Sequence, residues 1–270
     1  YSPVKDVSLA IMNYFPSERF SFKKDLGYTF LLILLVLFFY REKLGAYFVA
    51  TDTWEFRWVV DNAHRWYLNL GLWRGFACRP VASGLTHLMY IGFGLNPLPY
   101  HLLNLILYIC ILLLLYHFYN QLLNNKTFSR VGVLLFVCSY LNAEVVSQFG
   151  YLKDLLFVLF GLATLVCFLH YRKTPCLKHY ALALLFAILA TLSKEASVCL
   201  PLLLLAVDYH ISYGTFPPRL PPIKDSRQGL PFRRSAKEGL LPHVPFWLMA
   251  LPFFAFISSM PGSLLLPTIA

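Results

Sequence analysis

The 46 residues from Pro80 to Asn125 read PVASGLTHLMYIGFGLNPLPYHLLNLILYICILLLLYHFYNQLLNN and contain no Lys, Arg, Asp or Glu. A single interruption, Gly94-Leu95-Asn96-Pro97, divides them unequally. Behind it the apolar run is long enough to cross a bilayer as a helix. Ahead of it, Val81–Gly94 offers 14 residues, fewer than the roughly 17 that a full crossing needs. The longer piece therefore predicts a membrane span, and the shorter one a re-entrant or surface helix that returns to the side it came from.

Outward from this stretch the same pattern repeats. Leu26–Tyr40 is free of charge and follows Lys23-Lys24-Asp25. Its fifteen residues reach only about 22 Å at 1.5 Å each, so flanking Lys and Arg are expected to snorkel to complete the crossing. Further apolar runs are Val131–Ala143, Leu155–Tyr171, His179–Ser193, Ala196–Ile211 and Pro242–Ile257. Of 270 residues 58% are apolar and only 13% charged, against roughly 25% charged in a soluble domain. An ordinary water-facing surface is excluded, and so is disorder, which needs a chain poor in aliphatic and aromatic residues. The expected fold is an all-α polytopic membrane protein.

The side assignment follows from Lys and Arg, which collect in cytoplasmic loops. With the N-terminus inside and Val81–Gly94 not crossing, 15 of these residues lie inside and 8 outside. If that segment did cross, the same orientation would leave 6 inside and 17 outside. An inverted chain with the extra crossing has 17 inside against 6, so charge alone leaves that arrangement open. The net charge of +10 is thus read as topology, with no nucleic acid as partner. The resulting organisation is a cytoplasmic arm (1–25), a multi-span domain (26–257), and a final piece (258–270) that begins an external loop or a truncated end. The multi-span domain carries an external loop at 41–98 with interfacial helices and a cytoplasmic Pro/Arg-rich loop at 214–241. The missing initial Met and the apolar close suggest a fragment or a processed chain. Residues 1–25 lack the layout of a cleavable signal peptide. The sequon Asn125-Lys126-Thr127 falls inside, where it stays unmodified. Six cysteines without a CxxC indicate neither a zinc site nor a disulfide framework.

Four of five tryptophans, Trp54, Trp58, Trp66 and Trp73, fall in the first long loop. The first three share a helical face, with Asp52, Glu55, Arg57, Asp61, His64 and Arg65 interleaved, as in a helix lying at the interface. Ionisable residues beside short apolar runs are functional candidates. In this topology Asp52, Glu55, Glu144, Lys153, Asp154, Lys194 and Glu195 all fall on the outer side. His101 and Asn104, one helical turn apart beside the Asn96-Pro97 break, read as a packing pair between helices.

Several of these segments together resemble a known family. Arg79-Pro80-Val81, Gly94-Leu95-Asn96-Pro97 and Tyr100-His101-Leu102-Leu103-Asn104 are similar to a block in membrane O-mannosyltransferases carrying tetratricopeptide repeats, and in their bacterial relatives. Those proteins are GT-C glycosyltransferases. Glu144-Val145-Val146 with Lys153-Asp154-Leu155-Leu156, Ser193-Lys194-Glu195, and Asp52 after the first span resemble further motifs of the family. The similarity reaches from about Thr51 to Tyr209. It departs at Thr53, where the family has a second acid, at Ser139-Tyr140, where it has His-Pro, and at Leu152, where it has the basic residue found here at Lys153. No tetratricopeptide repeat is visible.

The resemblance implies a GT-C-like helical bundle and an inverting transfer of a sugar, mannose or another hexose, from a polyprenyl-phosphate donor to an external or luminal protein or glycan acceptor. In that chemistry a carboxylate takes the acceptor's proton, with Asp52 the candidate and Glu55 one turn later the fallback. Lys153, Lys194 and Arg79 would hold the departing phosphate. Glu144, Asp154, Glu195 and His101 would orient those groups or face the acceptor. Leu102–Leu115 and Leu155–Leu169 would form a groove for the prenyl chain. No metal site is assigned, and a divalent cation would need several of the acids brought together. The membrane would be a bacterial plasma membrane or the endoplasmic reticulum. The alternatives from other classes are a non-catalytic GT-C-like scaffold or lipid-binding protein, and a transporter, which would carry charges at mid-membrane.

Overall fold

The computed structural model describes residues 25–61, 64, 79–123, 125–213 and 241–250. The expectations for the N-terminal arm, Arg65, Trp66, Trp73, the Pro/Arg-rich loop and the close of the chain lie outside these residues, as do the side chains of Trp54, Glu55 and Trp58. The described residues are mostly helical and hold no strand. Two helical stretches, Pro97–Leu123 and Phe149–Lys173, are long and apolar enough to cross a membrane, and Leu177–Thr191 is a shorter apolar helix.

Helix α1 (Leu26–Tyr40) starts behind Asp25, whose buried carboxylate lies 2.8 Å from Arg130 Nη2 and 4.0 Å from Lys126 Nζ. A 3-10 helix, Arg41–Gly45, continues it directly. At about 2 Å per residue the 3-10 helix adds roughly 10 Å. The backbone helix therefore runs on past the apolar stretch through Arg41, Glu42 and Lys43, all exposed.

After α2 (Ala50–Asp61) and α3 (Pro80–Phe93), the chain enters the long α4 (Pro97–Leu123). α1 and α4 run antiparallel, pairing Tyr28 with Tyr116 and Tyr40 with Tyr108 at centroid separations of 5.1 and 5.8 Å. Asn125 caps α5 (Lys126–Val137), its side chain accepting from the Thr127 and Phe128 amides. The return path is broken. Asn142 donates to the Phe136 carbonyl across the bend between α5 and α6 (Leu141–Ser147). A 3-10 turn, Phe149–Tyr151, then leads into α7 (Leu152–Lys173).

α8 (Leu177–Thr191) packs along α7 through Ala183, Ala187 and Ala190, all buried at spacings of four and three. Small side chains on one stripe let two backbones approach closely, and Leu165, Phe168 and Leu169 of α7 belong to the same core cluster. A 3-10 helix, Glu195–Cys199, turns the chain into α9 (Leu200–Tyr213), and residues 241–250 return as a 3-10 turn, Leu241–His243, and a helix.

The helices give the bundle two ends. Asp25, Arg130, Arg172 and Asp208 gather at one, and Asp52, Glu144, Asp154 and Lys194 at the other. α3 does not run between them. Its first turn is at the Asp52 end, where the Val81 amide donates to the Leu192 carbonyl at 3.2 Å. Its last residue leads to Gly94, whose carbonyl accepts from the Tyr100 hydroxyl, and the Tyr100 ring packs on Phe149 at 4.7 Å. Both ends of α3 thus belong to the Asp52 end. Gly94, at φ +58°, makes the reversal into α4, a backbone region that glycine enters without steric cost.

Candidate functional site

The Asp52 end is assembled from four separate parts of the chain. Arg79, immediately before α3, meets Glu195 with Nη2 at 2.8 Å from Oε1 and Nε at 3.1 Å from both carboxylate oxygens. Lys194 donates to Asp154 in the first turn of α7. Adjacent residues, Lys194 extended and Glu195 opening the 3-10 helix, therefore reach in two directions, Lys194 to α7 and Glu195 to the head of α3. All four side chains are roughly a quarter exposed, so the two ion pairs sit at a boundary rather than in the core. The second oxygen of Asp154 is buried with no hydrogen-bond partner among the described residues.

Asp52 is placed differently. It is fully buried, one oxygen accepting from the Gly150 amide at 2.6 Å and the other from the Val49 amide at 3.0 Å. The carboxylate joins the loop after the 3-10 helix Arg41–Gly45 to the turn that opens α7. Beside it Phe56, Tyr100 and Phe149 close the space, with Phe56 and Phe149 stacked at 5.5 Å and Phe56 and Tyr100 edge to face at 5.0 Å. The next residue of that turn, Tyr151, donates its hydroxyl to Glu144 at 2.9 Å, and Glu144 is exposed. The expected candidates thus divide into an enclosed carboxylate at Asp52, an open one at Glu144, and two paired cations at Arg79 and Lys194. Lys153 is half-buried at the start of α7. Glu55 lies on α2.

His101 and Asn104 act as the packing pair that their spacing suggests. The His101 Nε2 donates to the Ala46 carbonyl at 3.1 Å. Asn104 donates to the Gln148 and Val146 carbonyls at 3.0 and 3.4 Å. Each ties α4 to backbone of a neighbouring broken segment, and the second polar atom of each, His101 Nδ1 and Asn104 Oδ1, is buried with no hydrogen-bond partner among the described residues. The prenyl groove expected along Leu155–Leu169 is corrected, because Leu155, Leu156, Leu165 and Leu169 are buried in the protein's own core. On α4 the exposed members of the expected row are Leu102, Ile106 and Cys110, four residues apart.

The opposite end holds polar clusters that the sequence reading missed. Arg172 Nη2 donates to Asp208 at 2.8 Å, and His243 Nε2 lies 3.3 Å from the same carboxylate, all three side chains nearly buried. Gln121 sits between His117 at 2.6 Å and His170 at 3.3 Å, and the His170 ring lies 5.6 Å from that of His179. The signal for the first was available, since Asp208 is a lone acid inside the apolar run Ala196–Ile211. For the second the histidines are 9 and 53 residues apart, and no motif spacing joins them. Among the described residues no group of three or more His, Cys, Asp or Glu is arranged to hold a metal ion.

No protein family, no curated protein and no solved structure matches this chain.

Proposed function

We propose that the chain is a polytopic membrane protein whose working face is the Asp52 end, and that it transfers a sugar from a polyprenyl-phosphate donor to an acceptor on the external or luminal side. One observation carries the reading. The segments whose motifs resemble the GT-C O-mannosyltransferases are scattered from Asp52 to Glu195 in sequence, yet their charged residues meet at one end of the bundle.

The roles follow from accessibility. Arg79 and Lys194 are the cations that face the phosphate, where negative charge grows as the sugar leaves. Glu195 and Asp154 hold them in place. Lys153 stands one residue before Asp154 as a further cation. Glu144 is the carboxylate open to an acceptor hydroxyl, whereas Asp52 is a positioning residue that fixes the turn carrying Tyr151 and leading to Asp154. The original candidate for the base is thus moved by geometry: both oxygens of Asp52 are engaged by backbone amides, and no surface of the residue reaches solvent. The membrane is a bacterial plasma membrane or that of the endoplasmic reticulum.

The decisive experiment offers labelled hexoses on synthetic prenyl phosphates to the purified full-length protein in bilayers, with and without chelator. Transfer that disappears in Lys194→Gln supports the reading. Retention of the donor without transfer of any hexose overturns it in favour of a non-catalytic, lipid-binding relative. That second reading has its own support, because Asp52 and both site cations are occupied by the protein's own groups.

A further inference from the structure

The Arg79–Glu195 pair joins two pieces of backbone that are already joined. Ahead of Glu195 the Ser193 and Lys194 amides both donate to the Ala190 carbonyl at 3.1 Å, and the Ser193 hydroxyl donates to the Leu189 carbonyl at 2.7 Å. Beyond it the Ser197 amide donates to the Lys194 carbonyl at 3.2 Å. On the other side the Arg79 carbonyl accepts from the Ser83 amide at 2.9 Å, and the Val81 amide bonds the Leu192 carbonyl. The head of α3 and the segment 193–199 thus stay connected through backbone when the two side chains part.

The pairing itself has the form of anion recognition. Arg79 offers Nε and Nη2 to the carboxylate oxygens at 3.1 and 2.8 Å, a fork that binds carboxylate and phosphate alike. Each side chain is 24% exposed, so a ligand reaches the pair from outside. Asp154, on Lys194, differs in keeping its second oxygen buried. With Glu195 in place the pair carries no net charge. A phosphate approaching the guanidinium meets the carboxylate within a few Å, where like charges repel.

We propose that Glu195 is an internal competitor for the donor's phosphate: its carboxylate occupies Arg79 at rest and swings away when a prenyl phosphate arrives. The inference rests on the donor reading above and adds a closed resting state to it. Occupation of Arg79 by the protein's own carboxylate is then a gate on ligand entry. The two roles open to Glu195 differ in sign. A carboxylate that only steadies Arg79 strengthens phosphate binding, and its loss weakens it. A competitor does the opposite, because a ligand that needs an open form pays for the fraction of time the contact is closed. A contact closed about nine-tenths of the time reduces apparent affinity roughly tenfold.

The test is equilibrium binding of a labelled synthetic polyprenyl phosphate, carrying no sugar, to the full-length protein in bilayers, with the matching polyprenyl alcohol as control. Glu195→Gln should bind the phosphate roughly tenfold more tightly than the native chain does, and the alcohol no more tightly. Adding Arg79→Gln to that variant should remove the gain. Equal or weaker phosphate binding by Glu195→Gln overturns the inference and leaves the donor reading standing. So does a gain that the alcohol shares, or one that survives the loss of Arg79. Absence of phosphate binding in both the native chain and Glu195→Gln overturns the inference and the donor reading together. Should Glu195→Gln fail to fold, Glu195→Asp keeps the charge on a side chain one methylene shorter. Tighter phosphate binding there supports competition, and unchanged or weaker binding overturns it.

Discussion

Whether a carboxylate is a base or a brace depends on what already occupies its oxygens. Asp52 accepts from two backbone amides and is shut from solvent. Asp52→Asn should therefore lower stability by about 1.5–3 kcal/mol, the scale of hydrogen bonds to a charged group, seen as an earlier melting transition. Glu144 is exposed and, among the described residues, holds the Tyr151 hydroxyl alone. Glu144→Gln should leave melting nearly unchanged and reduce sugar transfer by roughly 100 to 10,000-fold, as loss of a proton acceptor does. The reverse pattern, an Asp52→Asn protein that melts normally but no longer transfers, would return the base to Asp52. At the far end Arg172 and Asp208 form a nearly buried pair tying α7 to α9. Removing Arg172 leaves Asp208 with His243 as its one remaining partner among the described residues, so Arg172→Gln should cost up to about 3–5 kcal/mol, measurable by denaturant unfolding in detergent.

Elements were legible where composition alone dictates them. The apolar runs became α1, α4, α7, α8 and α9, because an apolar stretch bounded by charges has few alternatives to a helix in a bundle. Less legible was where the helices end. The apolar run Leu26–Tyr40 stops at Arg41, yet the backbone goes on as a 3-10 helix through three charged residues. The run Val131–Ala143 fails in the opposite way. It is divided at the bend before Leu141, held by Asn142 on the Phe136 carbonyl, and no proline or glycine marks the spot. Where a marker exists the reading was direct, as at Gly94. Its φ of +58° is unfavourable for an L side chain, although a Cβ there would meet nothing within 4 Å. Gly94→Ala should therefore destabilise by about 1–3 kcal/mol through backbone strain alone. An unchanged melting temperature would mean that the turn relaxes to another conformation.

For the whole molecule, the charges at the two ends are legible individually, but their partners are not. Ser193-Lys194-Glu195 can be picked out of the sequence, yet nothing there says that Lys194 turns to Asp154 and Glu195 to Arg79, pairs separated by 40 and 116 residues. Only the antiparallel stacking of α7, α8 and α9 brings them level. The same stacking yields a test of orientation that needs no substrate. Tyr47, 85% exposed, follows the 3-10 extension of α1 at the Asp52 end, and Lys178 is exposed at the start of α8 on the opposite end. In sealed vesicles of known sidedness and a cysteine-free chain, Tyr47→Cys should react with an impermeant maleimide added from the external or luminal side. Lys178→Cys should react only after permeabilisation. This follows from lysine and arginine retention on the cytoplasmic side, which assigns 15 of these residues inside when α3 does not cross. Labelling of both from one side would mean that the bundle does not span. Labelling of Lys178→Cys alone from outside would invert the chain and turn Arg79, Lys194 and Glu144 toward the cytoplasm, where an acceptor would have to be a cytoplasmic one.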